Sequence, residues 1–162
     1  MLRLGVMVAV GLLVGPVLAD PPPAEVPVKA APQGDLATLQ GYWKPLSIVF
    51  NGKSQEETPG ELRKLTGVFD QSEYHLYFKA PPKDPIKLAR MTVTLDPTTT
   101  PKTIVLEFAT GQLKGQKRHG IYEISGNELK LCYGEADKPR PTTFDAPSRS
   151  GLYLEVWARQ TK

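Results

Sequence analysis

Few residues in this chain are of types that carry out chemistry, and their spacing forms no known catalytic or metal-binding motif. The only histidines are His75 and His119, and neither stands in a His-x-His or His-Glu-x-x-His pattern that brings zinc ligands together. We expect both to be exposed, because His75 alternates with apolar neighbours and His119 ends a basic run. The sequence contains no Gly-x-Ser-x-Gly elbow, phosphate loop or dinucleotide fingerprint. We therefore predict no metal, no cofactor and no enzymatic activity.

The single cysteine, Cys132, excludes an intramolecular disulfide. Two interpretations are open: a reactive thiol that pairs with another chain, or a small buried side chain within a strand. Cys132 follows Leu131 in an apolar run and has no Lys, Arg or His directly beside it to lower the thiol pKa. The sequence favours the buried side chain.

Two groups of basic residues are candidates for binding an anion. Lys114, Lys117 and Arg118 cluster between two predicted strands, where a solvated turn is the simpler explanation. Arg140 stands between two prolines whose fixed φ pre-orders an extended loop. Such an arginine either faces the barrel mouth and binds a ligand carboxylate, or pins its loop to the wall. Arg140 is the one candidate ligand-binding residue.

Composition favours a turn-rich β domain. The chain has 162 residues with 20 Lys or Arg and 17 Asp or Glu, so its formal charge is only +3 and we predict no nucleic-acid partner. Hydrophobic residues make up 40%, which is enough for a core. The 16 prolines and 14 glycines interrupt the chain too often for a helical bundle.

The first residues predict a secretory signal peptide over residues 1–19. A lone Arg3 precedes an apolar run from Leu4 to Leu18, and the small Ala19 follows at the expected cleavage point. The alternative is an uncleaved membrane anchor, but the run is short and contains glycine and proline. We therefore predict export to the periplasm or the exterior, with no stable membrane span after cleavage.

Residues 20–34 contain five prolines and predict a Pro-rich linker, either a spacer or a disordered leader. The remaining residues, 35–162, are one domain by size. Asp35 is the expected N-cap of a short helical turn. Period-two alternation after it predicts about eight strands, and Asn51-Gly52 supplies the positive φ angles of a tight hairpin.

No helical pattern is long enough for a parallel crossover, so the strands should form an antiparallel meander. We predict an all-β fold, an antiparallel up-and-down eight-stranded barrel with a short N-terminal helical turn, because closure removes the exposed sheet edges. The interior is either filled by side chains or holds one small ligand.

Several motifs resemble those of a known family. Gly41-Tyr42-Trp43 after the helical turn resembles the Gly-x-Trp opening of lipocalin-like barrels. Residues 95–108, 120–132 and 138–144, followed by Trp157-Ala158-Arg159, are similar in type and order to the uncharacterised lipocalin-like domain family that is expanded in planctomycete bacteria. The resemblance covers nearly all of the domain. It implies a lipocalin-like barrel and no established activity.

The resemblance also implies a structural role for Gly41, Trp43 and Arg159. In lipocalin-like barrels the tryptophan lies at the closed end beneath an arginine of the last strand, which stacks on the indole and donates to nearby carbonyls. On that basis, we expect Arg159→Ala to lower the free energy of unfolding by about 1–3 kcal/mol.

Two functions remain open. The first is an exported module that binds a small apolar or amphiphilic (lipophilic) molecule inside the barrel, an expectation that rests on the fold. The second is a non-catalytic structural or interaction module with a filled barrel, whose partner is another protein of the cell envelope. An enzyme would need converging titratable groups, which the sequence does not show.

Overall fold

The computed structural model describes residues 31–56, 60–79 and 84–161. The predicted signal peptide and most of the predicted linker lie outside the described residues. The described elements are the helix α1 (Gly34–Leu39), a 3₁₀ turn (Leu62–Lys64) and nine strands: β1 (Gly41–Phe50), β2 (Lys53–Ser54), β3 (Leu65–Asp70), β4 (Glu73–Phe78), β5 (Ile86–Asp96), β6 (Lys102–Phe108), β7 (Lys117–Ser125), β8 (Glu128–Gly134) and β9 (Leu152–Arg159). Neither helical segment in these ranges has the length and apolar character that crossing a membrane requires.

Eight of the nine strands close into an antiparallel barrel. The pairing order from β3 to β9 follows the chain, β1 pairs with β3, and β9 returns to pair with β1. The two-residue strand β2 is additional to the prediction, and it folds back on the end of β1 through Asn51 and Gly52, whose φ angles are 52° and 76°. The predicted all-β, up-and-down, eight-stranded barrel is confirmed.

Period-two alternation places the apolar side chains inside the barrel. On β5, Met91 and Val93 are each 4% exposed, whereas the intervening Thr92 is exposed. Because a shift of one residue would turn these side chains outward, burial fixes the register of the strands. The buried core contains both tryptophans and most of the inward aromatic and aliphatic residues: Leu39, Trp43, Ile48, Leu62, Phe69, Tyr74, Met91, Val93, Ile104, Leu106, Phe108, Tyr122, Leu129, Leu131, Tyr133 and Trp157.

Helix α1 lies at the end of the barrel where β1 begins, which we call the helix-covered end. Leu39 is fully buried against the core. Asp35 does not cap the helix, since the N-cap residue is Gln33. The Asp35 carboxylate instead accepts hydrogen bonds from Lys102 Nζ at 2.8 Å and Tyr122 Oη at 2.7 Å. Two strong donors on the wall outcompete the backbone N–H groups of a six-residue helix, and they tie α1 to β6 and β7.

The opposite end, where β1, β4, β6 and β8 finish, is called the mouth. Inward side chains are not equally buried along the barrel axis. Trp43 and Trp157, toward the helix-covered end, are 0% and 1% exposed. Toward the mouth, Phe50, Leu76 and Tyr153 are partly exposed, whereas Phe108 and Tyr133 are 8% and 6% exposed. Solvent therefore reaches inward side chains at the mouth.

Candidate functional site

The helix-covered end holds an arginine whose donors are matched by carbonyl oxygens. The Arg159 guanidinium lies 4.3 Å from the centroid of the Trp43 ring. One terminal nitrogen donates to the Gln40 carbonyl oxygen at 2.7 Å and the other donates to the Thr38 carbonyl oxygen. Trp43 Nε1 donates to the Leu39 carbonyl oxygen at 2.8 Å. This group joins the end of α1 to the last strand.

Gly41 lies directly beside that group with a φ of 109°. L-residues rarely adopt this backbone conformation, so a side chain here would be strained. A side-chain carbon built on Gly41 would also stand 3.8 Å from an Arg159 terminal nitrogen. Glycine therefore lets the chain turn from α1 into β1 close to the guanidinium.

A buried carboxyl group lies inside the barrel on β9. Glu155 pairs with the inward Leu131 and is 6% exposed. Its two oxygens accept hydrogen bonds from the Tyr133 hydroxyl and from Trp157 Nε1, the latter at 2.8 Å. Burial raises the pKa of Glu155, against the opposing effect of these two donors and of Arg118. Burial and the nearby Glu155 also raise the pKa of Tyr133 well above its ordinary value.

Arg118 enters the barrel at the mouth, so the expectation of a solvated turn is wrong for this residue. The turn ends before β7, where Lys117 points outward to Glu107 at 3.4 Å and the next residue, Arg118, pairs with the inward Leu106. Its guanidinium carbon lies 5.1–5.2 Å from the ring centroids of Phe108, Tyr133 and Tyr153. We call Arg118 and these three rings the arginine cage.

One of the Arg118 nitrogens is buried among the rings of the cage. Its Nε–H is buried and has no hydrogen-bond acceptor among the described residues. Glu155 is close enough to interact electrostatically, yet the pair is not within 4 Å, and both Glu155 oxygens already accept bonds from Tyr133 and Trp157. The cage therefore holds a cation whose buried Nε–H has no acceptor within the described ranges of the chain.

The loop between β8 and β9 packs against the outside of the barrel wall. Ala146 is 3% exposed, and Cys132 on β8 is fully buried with its sulfur 3.4 Å from the Asp145 carbonyl oxygen. The predicted burial of Cys132 is confirmed, and burial raises the pKa of its thiol. A raised pKa leaves little reactive thiolate near neutral pH.

Arg140 lies on this outer wall rather than inside the barrel. Its Nε donates to the Gly120 carbonyl oxygen at 3.2 Å, a contact that fastens the loop to β7. The same side chain lines an outer pocket of about 520 Å³ together with Lys138 and Arg149. Arg140 therefore fastens the loop to the wall and also presents an exposed positive charge to the pocket.

Neither histidine lies in the arginine cage or lines the outer pocket beside Arg140. His75 lies on the outer face but is only 9% exposed, so its predicted exposure is wrong. Side chains of the two neighbouring strands cover it, and its Nε2 lies 3.2 Å from a Glu73 oxygen. His119 is partly buried. Across residues 31–56, 60–79 and 84–161, no group of three His, Cys, Asp or Glu side chains is placed to hold a metal.

A second outer pocket, of about 460 Å³, lies across β1, β3 and β4 and is mainly apolar. Tyr42 is 52% exposed along its edge. Lys44 also lines it, but its Nζ donates to the Arg63 and Leu65 carbonyl oxygens and to Thr66 Oγ1. The lysine thus fastens β1 to β3, while the tyrosine offers an apolar surface.

The fold defines a closed, eight-stranded, antiparallel up-and-down β-barrel with an internal cation at its mouth. No family model matches the chain, and no curated protein matches it. The resemblance to lipocalin-like domains therefore stays a prediction from the motifs.

Proposed function

We propose that the protein is an exported binding module that takes a small amphiphilic anion at the mouth of its barrel, where Arg118 recognises the charge. The observation that carries this proposal is the buried Nε–H of Arg118, for which the described part of the chain supplies no acceptor. A buried donor without an acceptor loses free energy relative to one that is bonded. A ligand carboxylate supplies both the acceptor and the opposite charge.

The surroundings of Arg118 support an apolar portion in the same ligand. Three rings surround the guanidinium, and Phe50 stacks on Tyr153 with ring centroids 4.3 Å apart. These rings offer apolar contact next to the cation. Glu155 lies deeper, and the large buried side chain of Trp157 lies beyond it. The ligand therefore occupies the mouth and does not pass through the barrel.

Export is part of the proposal because it determines the compartment in which the protein would bind its ligand. The predicted signal peptide over residues 1–19 supports a periplasmic or extracellular location. The proposal assigns no catalytic step to the protein.

The test is calorimetric titration of the chain from residue 20 onward with dodecanoate, dodecanol and dodecyltrimethylammonium. We expect dodecanoate to bind at least tenfold more tightly than the neutral or cationic compound. Arg118→Gln should lower dodecanoate affinity at least tenfold, whereas the control Arg63→Gln, which removes an exposed arginine elsewhere, should not. Equal affinities for dodecanoate in both variants, or no preference for the anion, would reject the proposal.

A second candidate is a structural or interaction module that contacts another envelope protein. The observation that favours it is a set of large apolar side chains that are exposed to solvent: Tyr42, Leu46, Ile86 and Leu88. In vivo cross-linking from position 42 tests this function. A discrete cross-linked partner that is lost in Leu46→Ser, combined with no anion binding, would favour this candidate over the first.

A further inference from the structure

The two ends of the loop between β8 and β9 line the 520 Å³ pocket, and hydrogen bonds hold these two ends together. Glu135 N–H donates to the Gly151 carbonyl oxygen at 3.1 Å, and Gly151 N–H donates to Asn51 Oδ1 at 2.6 Å. Asn51 N–H in turn donates to the Leu152 carbonyl oxygen at 3.2 Å. The base of the loop is therefore fixed to the barrel and to the hairpin that follows β1.

The wall of this loop pocket is fixed as well. Asp137 N–H donates to the Lys117 carbonyl oxygen at 2.7 Å, and Lys117 N–H donates back to Asp137 Oδ1 at 3.2 Å. Arg140 is bonded to the Gly120 carbonyl oxygen, and the adjacent Pro141 is buried. Because this backbone is already fixed, binding a ligand does not have to order the loop, and that part of the entropic cost of binding is absent.

Three cations face this pocket: Lys138, Arg140 and Arg149. None of them has a carboxylate within 4 Å among the described residues. Glu135 is the one carboxylate that lines the pocket, and Asp96 attracts Arg140 from outside it. The lining residues therefore carry a net charge of about +2 at neutral pH.

Arg149 holds an unusual backbone conformation at the pocket edge, with a φ of 62°. Bulky L-residues avoid this left-handed region, and glycine or asparagine usually occupies it. Arg149 makes no side-chain hydrogen bond or ion pair among the described residues that would account for its presence there. Strain of this kind is concentrated at positions where the side chain has a function.

We propose that the loop pocket binds a phosphate monoester, with Arg140 and Arg149 donating to the phosphate oxygens and Lys138 supplying the third positive charge. The monoester is close to a dianion at neutral pH and offers three acceptor oxygens, which match the charge and the donors of the pocket. The pocket is larger than a phosphate group, so the organic part lies beside Pro139 and Leu152. The site is on the outer wall and is separate from the arginine cage.

The test compares methyl phosphate with methyl sulfate, which has the same shape but only one negative charge, by ¹H–¹⁵N NMR titration of the chain from residue 20 onward. We expect saturable shifts at residues 135–151 with methyl phosphate, at least fivefold weaker binding of methyl sulfate, and weaker methyl phosphate binding as the pH falls below about 6. Equal binding of the two esters would overturn the proposal.

Variants separate recognition from folding of the loop. Arg149→Gln removes a side chain with no fastening contact and should weaken methyl phosphate binding at least fivefold, whereas Arg140→Gln also removes the bond to Gly120. Arg63→Gln removes one exposed arginine elsewhere and should leave the affinity unchanged. Unchanged affinity in Arg149→Gln, in a protein with a wild-type spectrum, would contradict the proposal.

The source of the phosphate is decided with two further probes. Glycerol 3-phosphate represents a soluble ester, and phosphatidic acid in phosphatidylcholine vesicles represents a lipid headgroup. Binding of the soluble ester assigns the pocket to small metabolites. Binding of the phosphatidic acid vesicles alone, lost in Arg149→Gln, assigns it to a membrane surface. Failure of both probes and of methyl phosphate would overturn the proposal.

Discussion

Arg159 and Arg118 both stack on aromatic rings at opposite ends of one barrel, but within the described ranges the donors of Arg159 have acceptors and the buried Nε–H of Arg118 has none. At the helix-covered end, the Arg159 guanidinium donates to two carbonyl oxygens while it lies on Trp43. At the mouth, Arg118 lies among three rings, and no described residue accepts a hydrogen bond from its buried Nε–H. Stacking on an aromatic ring therefore does not by itself define the role of an arginine. The acceptors around it separate a structural contact from a binding group.

The carboxyl groups of the two ends differ in the same way. Asp35 accepts bonds from Lys102 and Tyr122, and these lower its pKa. Glu155 accepts bonds from two neutral groups in the interior, and burial raises its pKa. The helix-covered end therefore favours the charged carboxylate, whereas the interior below the mouth favours the protonated acid.

The largest expected difference comes from removing each arginine in turn. Arg159→Ala should lower the free energy of unfolding by about 1–3 kcal/mol, because two carbonyl oxygens lose a charged donor. Arg118→Ala should change it by less than about 1 kcal/mol, since the lost ring contacts are offset by relief of a partly buried cation. Urea denaturation of both variants measures the difference. Equal losses would break the comparison and make Arg118 a structural residue.

The pH dependence of stability should separate the two carboxyl groups. The folded-state pKa of Glu155 is above its ordinary value of 4.5, so its contribution to stability is fully present below about pH 4.5 and declines as the pH rises through the folded-state pKa. The pKa of Asp35 is below its ordinary value of 3.8, so its contribution is present above that pH and is lost on further acidification.

Two amide variants test these opposite signs by urea denaturation between pH 3 and 8. Glu155→Gln should flatten the decline in stability above about pH 4.5, because the amide keeps the shape but does not ionise. Asp35→Asn should flatten the acid-side loss and leave the neutral and alkaline range unchanged in slope. A Glu155→Gln profile parallel to that of the wild type would show that burial does not govern this carboxyl group.

The barrel could be predicted from the sequence, but the arginine cage could not. Alternation set the strand faces, and the absence of a crossover helix left an antiparallel meander. The inward position of Arg118 was missed because it depends on where the preceding turn ends. The first residue of β7 sets the register of the strand, and the register decides which side chains point inward. Glu155 could have been predicted to point inward, because it shares its strand face with Trp157 and Arg159, two and four residues later. Charged side chains are rarely buried in protein cores, and this general rule argued against an inward glutamate.

The loop pocket could not be predicted because its cations come from both ends of an irregular loop. Lys138 and Arg149 are far apart in a segment with no helical or strand period, so no repeat spacing places them together. Only the hydrogen bonds at the neck of the loop bring them to one pocket. Arg140 alone had a signal, the two flanking prolines that order its backbone.

The smallest change in stability is expected from a backbone position with a positive φ angle. The helix-covered end has glycine where φ is positive at position 41, whereas the loop at the mouth end has an arginine at position 149. Arg149→Gly should raise the free energy of unfolding by about 0.5 kcal/mol, because relief of a left-handed residue, worth roughly 1–2 kcal/mol, exceeds the entropic cost of glycine. The same change should weaken methyl phosphate binding at least fivefold, as expected for Arg149→Gln. A variant that is less stable than the wild type would mean that Arg149 holds the loop together, whereas gained stability with weakened binding would show that the mouth end gives up stability for a ligand.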